Sequence, residues 1–261
     1  MELAKRPPHP ALASHIRSVA GWFEDGAPVS RRELPGGRVV LVISFGPQID
    51  IDGRRFGSFV AGVHDTPTLT EHDGLGHGVE VYFTPLGARR FLGMPMRELT
   101  GRVVELEDLL GRKADELAER LHEEPGWPAR LALLERVVAR RVVEAEPPPV
   151  GLEWAWRRLL DSDGAVAIGA LAQELGWSRR HLAAQFREHV GVPPKTLARL
   201  LRFERAAKLL RGPSAPDLGR LALDCGYYDQ AHFNRDFRAF AGATPTEYRV
   251  TSVQAIESVA A

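Results

Sequence analysis

The sequence predicts an α+β chain of more than one domain. A β-rich barrel with flanking helices comes first, and an all-α region follows in which two similar helical pairs are joined by a long helix. Three observations predict this. Between residues 30 and 84, short β-branched stretches are punctuated by Gly and Pro. From Pro85 onward, apolar residues recur at helical spacing. The C-terminal part then repeats itself at an offset of 50 to 51 residues. The 261 residues can bury a sizeable core, and 44% hydrophobic against 26% charged residues excludes a disordered chain. One cysteine excludes a disulfide framework and a Cys-rich zinc site. MELAKRPPHP has no apolar stretch behind its basic residues, and the longest aliphatic run, Val39–Ile43, is far short of a membrane span. The expectation is a soluble, cytoplasmic protein.

The elements follow in order. Arg38 to Phe45 is β-branched and bounded by Pro35-Gly36-Gly37 and Gly46-Pro47, so it reads as a strand. Gln48 to Gly53 alternates and ends in an Asp-Gly turn; Phe56 to Val63 and Gly78 to Phe83 are further strands. Leu106, Leu109, Leu110, Ala114, Leu117, Ala118 and Leu121 fall on one helical face. A second helix follows Trp127-Pro128. Its apolar Leu131, Leu134, Val138 and Val142 lie beside Arg130, Arg136, Arg140 and Arg141, a face that suits either the barrel or its twin in a homodimer. Pro147-Pro148-Pro149 reads as a stiff linker.

The repeat lies beyond that linker. Leu171-Ala172 and Gly176-Trp177 match Leu221-Ala222 and Gly226-Tyr227; Leu182, Phe186, Arg187, Gly191 and Pro194 match Phe233, Phe237, Arg238, Gly242 and Pro245. In each unit a short helix ends at a Gly, a tight turn follows, and Ser178 or Asp229 caps the next helix. That is the helix–turn–helix arrangement, whose second helix suits a DNA major groove. Lys195 to Arg211 reads as a connecting rod roughly 25 Å long, able to hold two recognition helices about one DNA turn apart. Charge agrees with a polyanion partner. The net charge is zero, yet residues 178–211 carry nine basic and two acidic residues. A solvated, Arg-rich helix surface has the same charge.

On these residues, together with Arg202-Phe203, His232-Phe233, Arg235, Thr244-Pro245 and Tyr248-Arg249, segment 165–249 resembles the DNA-binding domain of the AraC/XylS family of bacterial transcription regulators. Leu197 departs from it, standing where an aromatic residue is common. Residues 9–145 resemble, more loosely, the N-terminal domain of a group of AraC-like regulators. Phe83 to Ala88, Leu92-Gly93 and Leu106 to Gly111 carry that likeness. The resemblance implies a cupin-like sensor or dimerisation domain over 1–146, β-rich to about 84 and helical over 87–145. It also implies a linker at 147–151 and a DNA-binding domain over 152–251, with motifs at 168–190 and 218–241, linker helix 195–211 and a tail at 252–261. The implied partners are double-stranded promoter DNA, a small-molecule effector, and RNA polymerase if the protein is an activator. No cofactor is implied.

On the first recognition helix, Arg179, Arg180, Ala183, Ala184 and Arg187 fall away from the Leu182/Phe186 face. Arg180 suits guanine O6 and N7; Ala183 and Ala184 align with base-reading positions of the family and offer methyl contacts. Arg179, Gln185 and Arg187 suit phosphates. On the second, Gln230, Ala231, Asn234 and Arg235 face outward; Gln230 or Asn234 suits adenine, and Arg235 guanine. His232 is read as fixing the turn, while Arg238 and Arg249 either hold phosphate or brace the helix. Tyr227 suits the core, Tyr228 a phosphate, and Cys225 a buried structural position.

The N-terminal half offers less chemistry. His64, Asp65, Glu71, His72, His77 and Glu80 cluster in sequence without the His-x-His spacing of metal-binding cupins, so no metal is expected. Val40, Val42, Phe59, Val81 and Phe83 form either a ligand pocket or a plain barrel core. No nucleophile–base set stands out, and the reading is not an enzyme. The alternative is a cupin-like binding protein or enzyme carrying a helical interaction module.

Overall fold

A computed structural model describes residues 2–212 and 217–250 of the chain; the expected tail at 252–261 lies outside them. The N-terminal half has ten strands: β1 (Glu2–Arg6), β2 (Ile16–Asp25), β3 (Val29–Glu33), β4 (Val39–Ser44), β5 (Ile49–Ile51), β6 (Arg54–Phe56), β7 (Phe59–Ala61), β8 (Thr68–His72), β9 (Leu75–Phe83) and β10 (Val103–Glu105). They form two antiparallel sheets, ordered β1-β2-β9-β4-β7-β10 and β3-β8-β5-β6. The β-rich expectation holds, but the strands reach well outside residues 30–84. The long β2 breaks its alternation with a register shift between Ile16 and Ser18, which hides it from period-two reading. The span read as one strand from Phe56 to Val63 is also split, between β6 and β7.

Register decides what each face of the large sheet does. Leu41 pairs with Val81 and Val42 with Glu80, so odd and even positions face opposite ways. Val39, Leu41, Ile43, Val79, Val81 and Phe83 are buried in a core shared with the helices. Val40, Val42, Glu80 and Tyr82 share the other face with Trp22 and line a cavity. Of the two readings left open for Val40, Val42, Phe59, Val81 and Phe83, Val81 and Phe83 take the core and Val40, Val42 and Phe59 the cavity, since a strand cannot turn adjacent residues to one side.

The helices follow: α1 (Pro85–Leu92), α2 (Leu106–Leu110), α3 (Lys113–Glu123), α4 (Trp127–Glu144), α5 (Val150–Asp161), α6 (Ile168–Glu174), α7 (Arg179–Val190), α8 (Pro194–Leu210), α9 (Leu218–Asp224) and α10 (Gln230–Ala241). The Thr84 hydroxyl caps α1 by accepting from the Gly87 N–H at 3.1 Å. The apolar face from Leu106 to Leu121 is not one helix. Gly111, with φ 58° and ψ −148°, breaks it into α2 and α3. Helix α5 begins at Val150, inside the stretch read as linker, because extended Pro149 sits at its N-cap. Leu131, Leu134, Val138 and Val142 of α4 are buried within the chain, where α4 packs on β2 and α1. The apolar stripe that suggested a homodimer is thus covered by the chain's own barrel. Of the arginines beside it, Arg130 donates to His77 Nε2 at 2.9 Å and Arg141 lies over the Phe91 ring.

The two halves are docked on each other. Their apolar residues form one contiguous core, and α7 packs against α1 and a 3-10 turn at Met96–Glu98. Glu188 of α7 accepts from Arg89 at 3.2 Å and pairs with Arg97. The Thr100 hydroxyl donates to the Gly191 carbonyl at 2.9 Å. Gly191 has φ 95°, and a Cβ there would come within 2.7 Å of Thr100 Oγ1, so the end of α7 requires glycine.

His189 is buried at this seam, with no hydrogen-bond partner for Nδ1 among the described residues. Burial, and then the Arg89 guanidinium, lowers its pKa from 6.5 to about 4, against a smaller opposing effect of Glu146. Between those values the unfolded chain binds more protons, so this contribution is full above about pH 6.5 and is lost as pH falls toward 4. The urea midpoint should therefore fall between pH 7 and pH 5, and His189→Leu should flatten that fall. Equal falls in both proteins would place the titration elsewhere.

Candidate nucleic-acid interface

Each helical pair is built by local chemistry. In the first, Gly176 ends α6 with φ 64°, and the Ser178 hydroxyl accepts from the His181 N–H at 3.1 Å to start α7. Trp177 meets the His181 ring edge-on with centroids 4.6 Å apart. In the second, Gly226 ends α9 with φ 77°, and Asp229 Oδ1 accepts from the His232 N–H at 2.7 Å to start α10. Helix α7 buries Leu182, Phe186 and Val190; α10 buries Phe233, Phe237 and Phe240. These faces fix which residues point outward.

Helix α8 holds the second pair. Arg199 donates from Nε and Nη2 to both carboxylate oxygens of Asp236, at 3.1 and 2.9 Å, and its guanidinium lies 4.9 Å from the Phe240 ring centroid. Arg202 donates to the Gly226 carbonyl at 3.1 Å and lies over the Tyr227 ring. Phe203 packs on Phe237 and Phe240. None of Arg199, Asp236 or Glu204 stood out as a site residue from sequence alone. The available signal was an aspartate at i+3 from Phe233 on an apolar stripe, which requires a cationic partner.

The candidate contacts divide into two groups. Arg179, Arg180, Ala184 and Arg187 on α7, and Gln230, Ala231, Arg235 and Arg238 on α10, are exposed. Among the described residues, Arg180, Arg187 and Arg235 have no ion pair and no side-chain hydrogen bond. Ala183, Gln185, His232 and Asn234 are half-buried. The Gln185 and Asn234 side-chain oxygens are buried without partners, so neither amide is presented whole to a groove. Of the two amides read as suiting adenine, Gln230 is exposed and Asn234 is half-buried. His232 Nε2 lies 3.7 Å from Asp236 and its ring meets Tyr227 edge-on, which places it in the bracing around the turn. Tyr227 is buried, Tyr228 is 88% exposed, and Cys225 is buried with its thiol pushed up to about 11 by desolvation.

The histidines and acids of the N-terminal half separate. His77 joins an aromatic cluster with Phe23, Phe45, His122 and Trp127, on the sheet face away from Glu80. His64 Nδ1 bonds the Gly62 carbonyl at 2.6 Å, and His72 pairs with Glu24 at 3.0 Å. Among the described residues no three metal-ligating side chains come together.

Residues 171–251 match a family model described as a helix-turn-helix domain. This region is an AraC-type helix–turn–helix domain. Curated relatives align with the AraC-type domain. The F1 operon positive regulatory protein of Yersinia pestis is 36% identical over 85 residues, which is 33% of this chain and 28% of that protein. The transcriptional activator RhaS of Escherichia fergusonii is 35% identical over 85 residues, 33% of this chain and 30% of its own. The putative regulator YkgA of Escherichia coli is 35% identical over 98 residues, 38% and 39% respectively. The chain thus covers well under half the length of these relatives. Residues 4–105 match a family described as a domain of unknown function, DUF6597. Among solved structures, the C-terminal domain of AraT, a response regulator from Geobacillus stearothermophilus, aligns at TM-score 0.38 and 23% identity. That alignment covers 41% of this chain and 88% of AraT's. ToxT from Vibrio cholerae aligns at TM-score 0.48 and 12% identity, covering 96% and 98%. Among the described residues, no helix is long and apolar enough to cross a membrane.

The Arg199–Asp236 pair makes a stability prediction for the AraC-type domain. Arg199→Leu strands a carboxylate that is only 10% exposed and should cost about 2–4 kcal/mol. Arg199→Lys should recover only part of that, because an ammonium cannot bond both oxygens in the same plane. Urea denaturation followed by circular dichroism reads both. A neutral Arg199→Leu variant would show that α10 is held by its phenylalanines alone.

Proposed function

We propose that the chain is a cytoplasmic, non-enzymatic, sequence-specific transcription regulator. It inserts α7 and α10 into successive major grooves of promoter DNA, under the control of its N-terminal domain. One observation carries this reading. Two capped helices project exposed arginines that have no ion pair or side-chain hydrogen bond among the described residues, Arg180 and Arg187 on one and Arg235 on the other, and α8 joins them. An exposed guanidinium not engaged by neighbouring side chains suits guanine or phosphate. The regulatory names of the curated relatives support the same reading for the AraC-type domain. The division expected from the sequence, with a sensor domain over 1–146 and a DNA-binding domain over 152–251, is part of the proposal. RNA polymerase is the further partner if the outcome is activation.

Control is proposed to run through the docking of the two halves. Glu204, at mid-length in α8, accepts from the Gly37 N–H at 3.1 Å and pairs with Arg38 at 3.4 Å and Arg17 at 3.5 Å. Both helical motifs therefore sit on a rod whose position answers to the barrel.

Selection of bound fragments from genomic DNA, followed by gel shift on the recovered site, tests the reading. Arg180→Ala and Arg235→Ala should each weaken that site by about 1–3 kcal/mol with little loss on random DNA. Equal losses on both DNAs would assign these arginines to phosphates. Absence of any preferred site would overturn the regulator reading.

A further inference from the structure

The space between the two sheets is a cavity of about 460 Å³, a size that suits a small ligand. Its floor is apolar, with Val42, Ile51 and Phe59 packed together and Trp22 beside them. Strand β9 turns Gly76, Gly78, Glu80 and Tyr82 toward it. The Ile43 carbonyl and the Trp22 ring of β2 lie 2.5 and 2.6 Å from where a Cβ at Gly78 would stand, so the indole covers β9 at Gly78, next to the Glu80 position on the same face.

Among the described residues, two of the acids lining this cavity, Glu33 and Glu80, have no ion pair, while the other charges are matched. Glu24 is paired with Arg31 and with His72. Arg38 is paired with Glu204, donates to the Leu34 carbonyl at 3.1 Å, and lies over the Tyr82 ring. Glu80 sits on the central strand, between Ala20 of β2 and Val42 of β4. Its partner is the Tyr82 hydroxyl, and among the described residues it has no ion pair. Burial pushes its pKa up to about 6. Lys5 and Arg38 act on this half-buried acid from a distance and Glu33 opposes them, so the two carboxyls on the wall of an aromatic and aliphatic cavity have no cation in direct contact among the described residues.

We propose that this cavity binds a small organic amine, its ammonium paired with Glu80 and its apolar body lying on Trp22, Val42 and Phe59. An ammonium gains from the carboxylate and from the faces of neighbouring aromatic rings. An anion would meet Glu80 and Glu24 with both nearby guanidiniums already engaged, and a neutral alcohol would satisfy the hydrogen bond without the charge. The inference deepens the proposed control by the N-terminal domain and rests on that reading only for its regulatory use. The segment from Leu34 to Arg38 both lines the cavity and is gripped by Glu204, so an occupant bears on the contact between barrel and rod.

The test is isothermal calorimetry on the full chain with three probes of one shape: 4-phenylbutylamine, 4-phenylbutanol and 4-phenylbutyrate. The amine should bind at least tenfold more tightly than the alcohol, with no heat from the carboxylate. Glu80→Gln should reduce amine affinity to that of the alcohol. Val42→Trp, which fills the cavity beside Glu80 and keeps its carboxyl, should abolish binding of both, and circular dichroism checks that each variant is folded. Equal affinity for amine and alcohol, undiminished amine binding by Glu80→Gln, survival of binding in Val42→Trp, or no binding of the amine overturns the proposal. All of these are read without DNA, so failure of the regulator reading would leave this result standing, and the reverse holds too.

Discussion

The structure depends on helix α8 more than on any other element. Leu197, Leu200, Phe203, Ala206 and Leu210 are buried along it, which is more than an amphipathic stripe on a surface helix would bury. Its polar residues are committed as well. Arg199 clamps Asp236 of α10, Arg202 holds the turn before α10, and Glu204 reaches the barrel at Gly37. One rod thereby sets the place of the second recognition helix and of the N-terminal domain together. Charged groups in such positions are stable only with partners, and each has one.

The barrel solves a related problem with a single sheet. One face of β9 and β4 belongs to the common core, and the other encloses the cavity. The core face is aliphatic and aromatic throughout, as close packing requires. The cavity face mixes valines with Glu80, Tyr82 and Arg38, residues that a packed interior would exclude. The period of two in a strand allows both chemistries to occupy the same nine residues of β9.

The helical pairs were legible in the sequence because everything that makes them is local. A glycine at a positive φ, a side-chain cap three residues before the N–H it accepts from, and large apolar residues four apart (Leu182 and Phe186, Phe233 and Phe237) are written within about twenty residues. The outward position of Arg180, Arg187 and Arg235 follows from that spacing. The strand-rich start and helical remainder were legible too, since periodicity changes at Pro85.

What the sequence could not determine was every pairing between distant residues. It showed Val81 and Phe83 as apolar without showing which way they face, because direction depends on registry with β4 and β2. It showed an apolar stripe on α4 but not that β2 and α1 cover it. Asn234 falls at an outward helical position, yet its oxygen is buried by neighbours that local spacing does not describe. Nothing local to Glu204 on the rod points to the barrel, and only the fold brings Gly37, 167 residues earlier, against its carboxylate. Local backbone chemistry is set by neighbours in the chain, whereas burial, charge pairing and the cavity come from contacts across it, which exist only once the tertiary structure has formed.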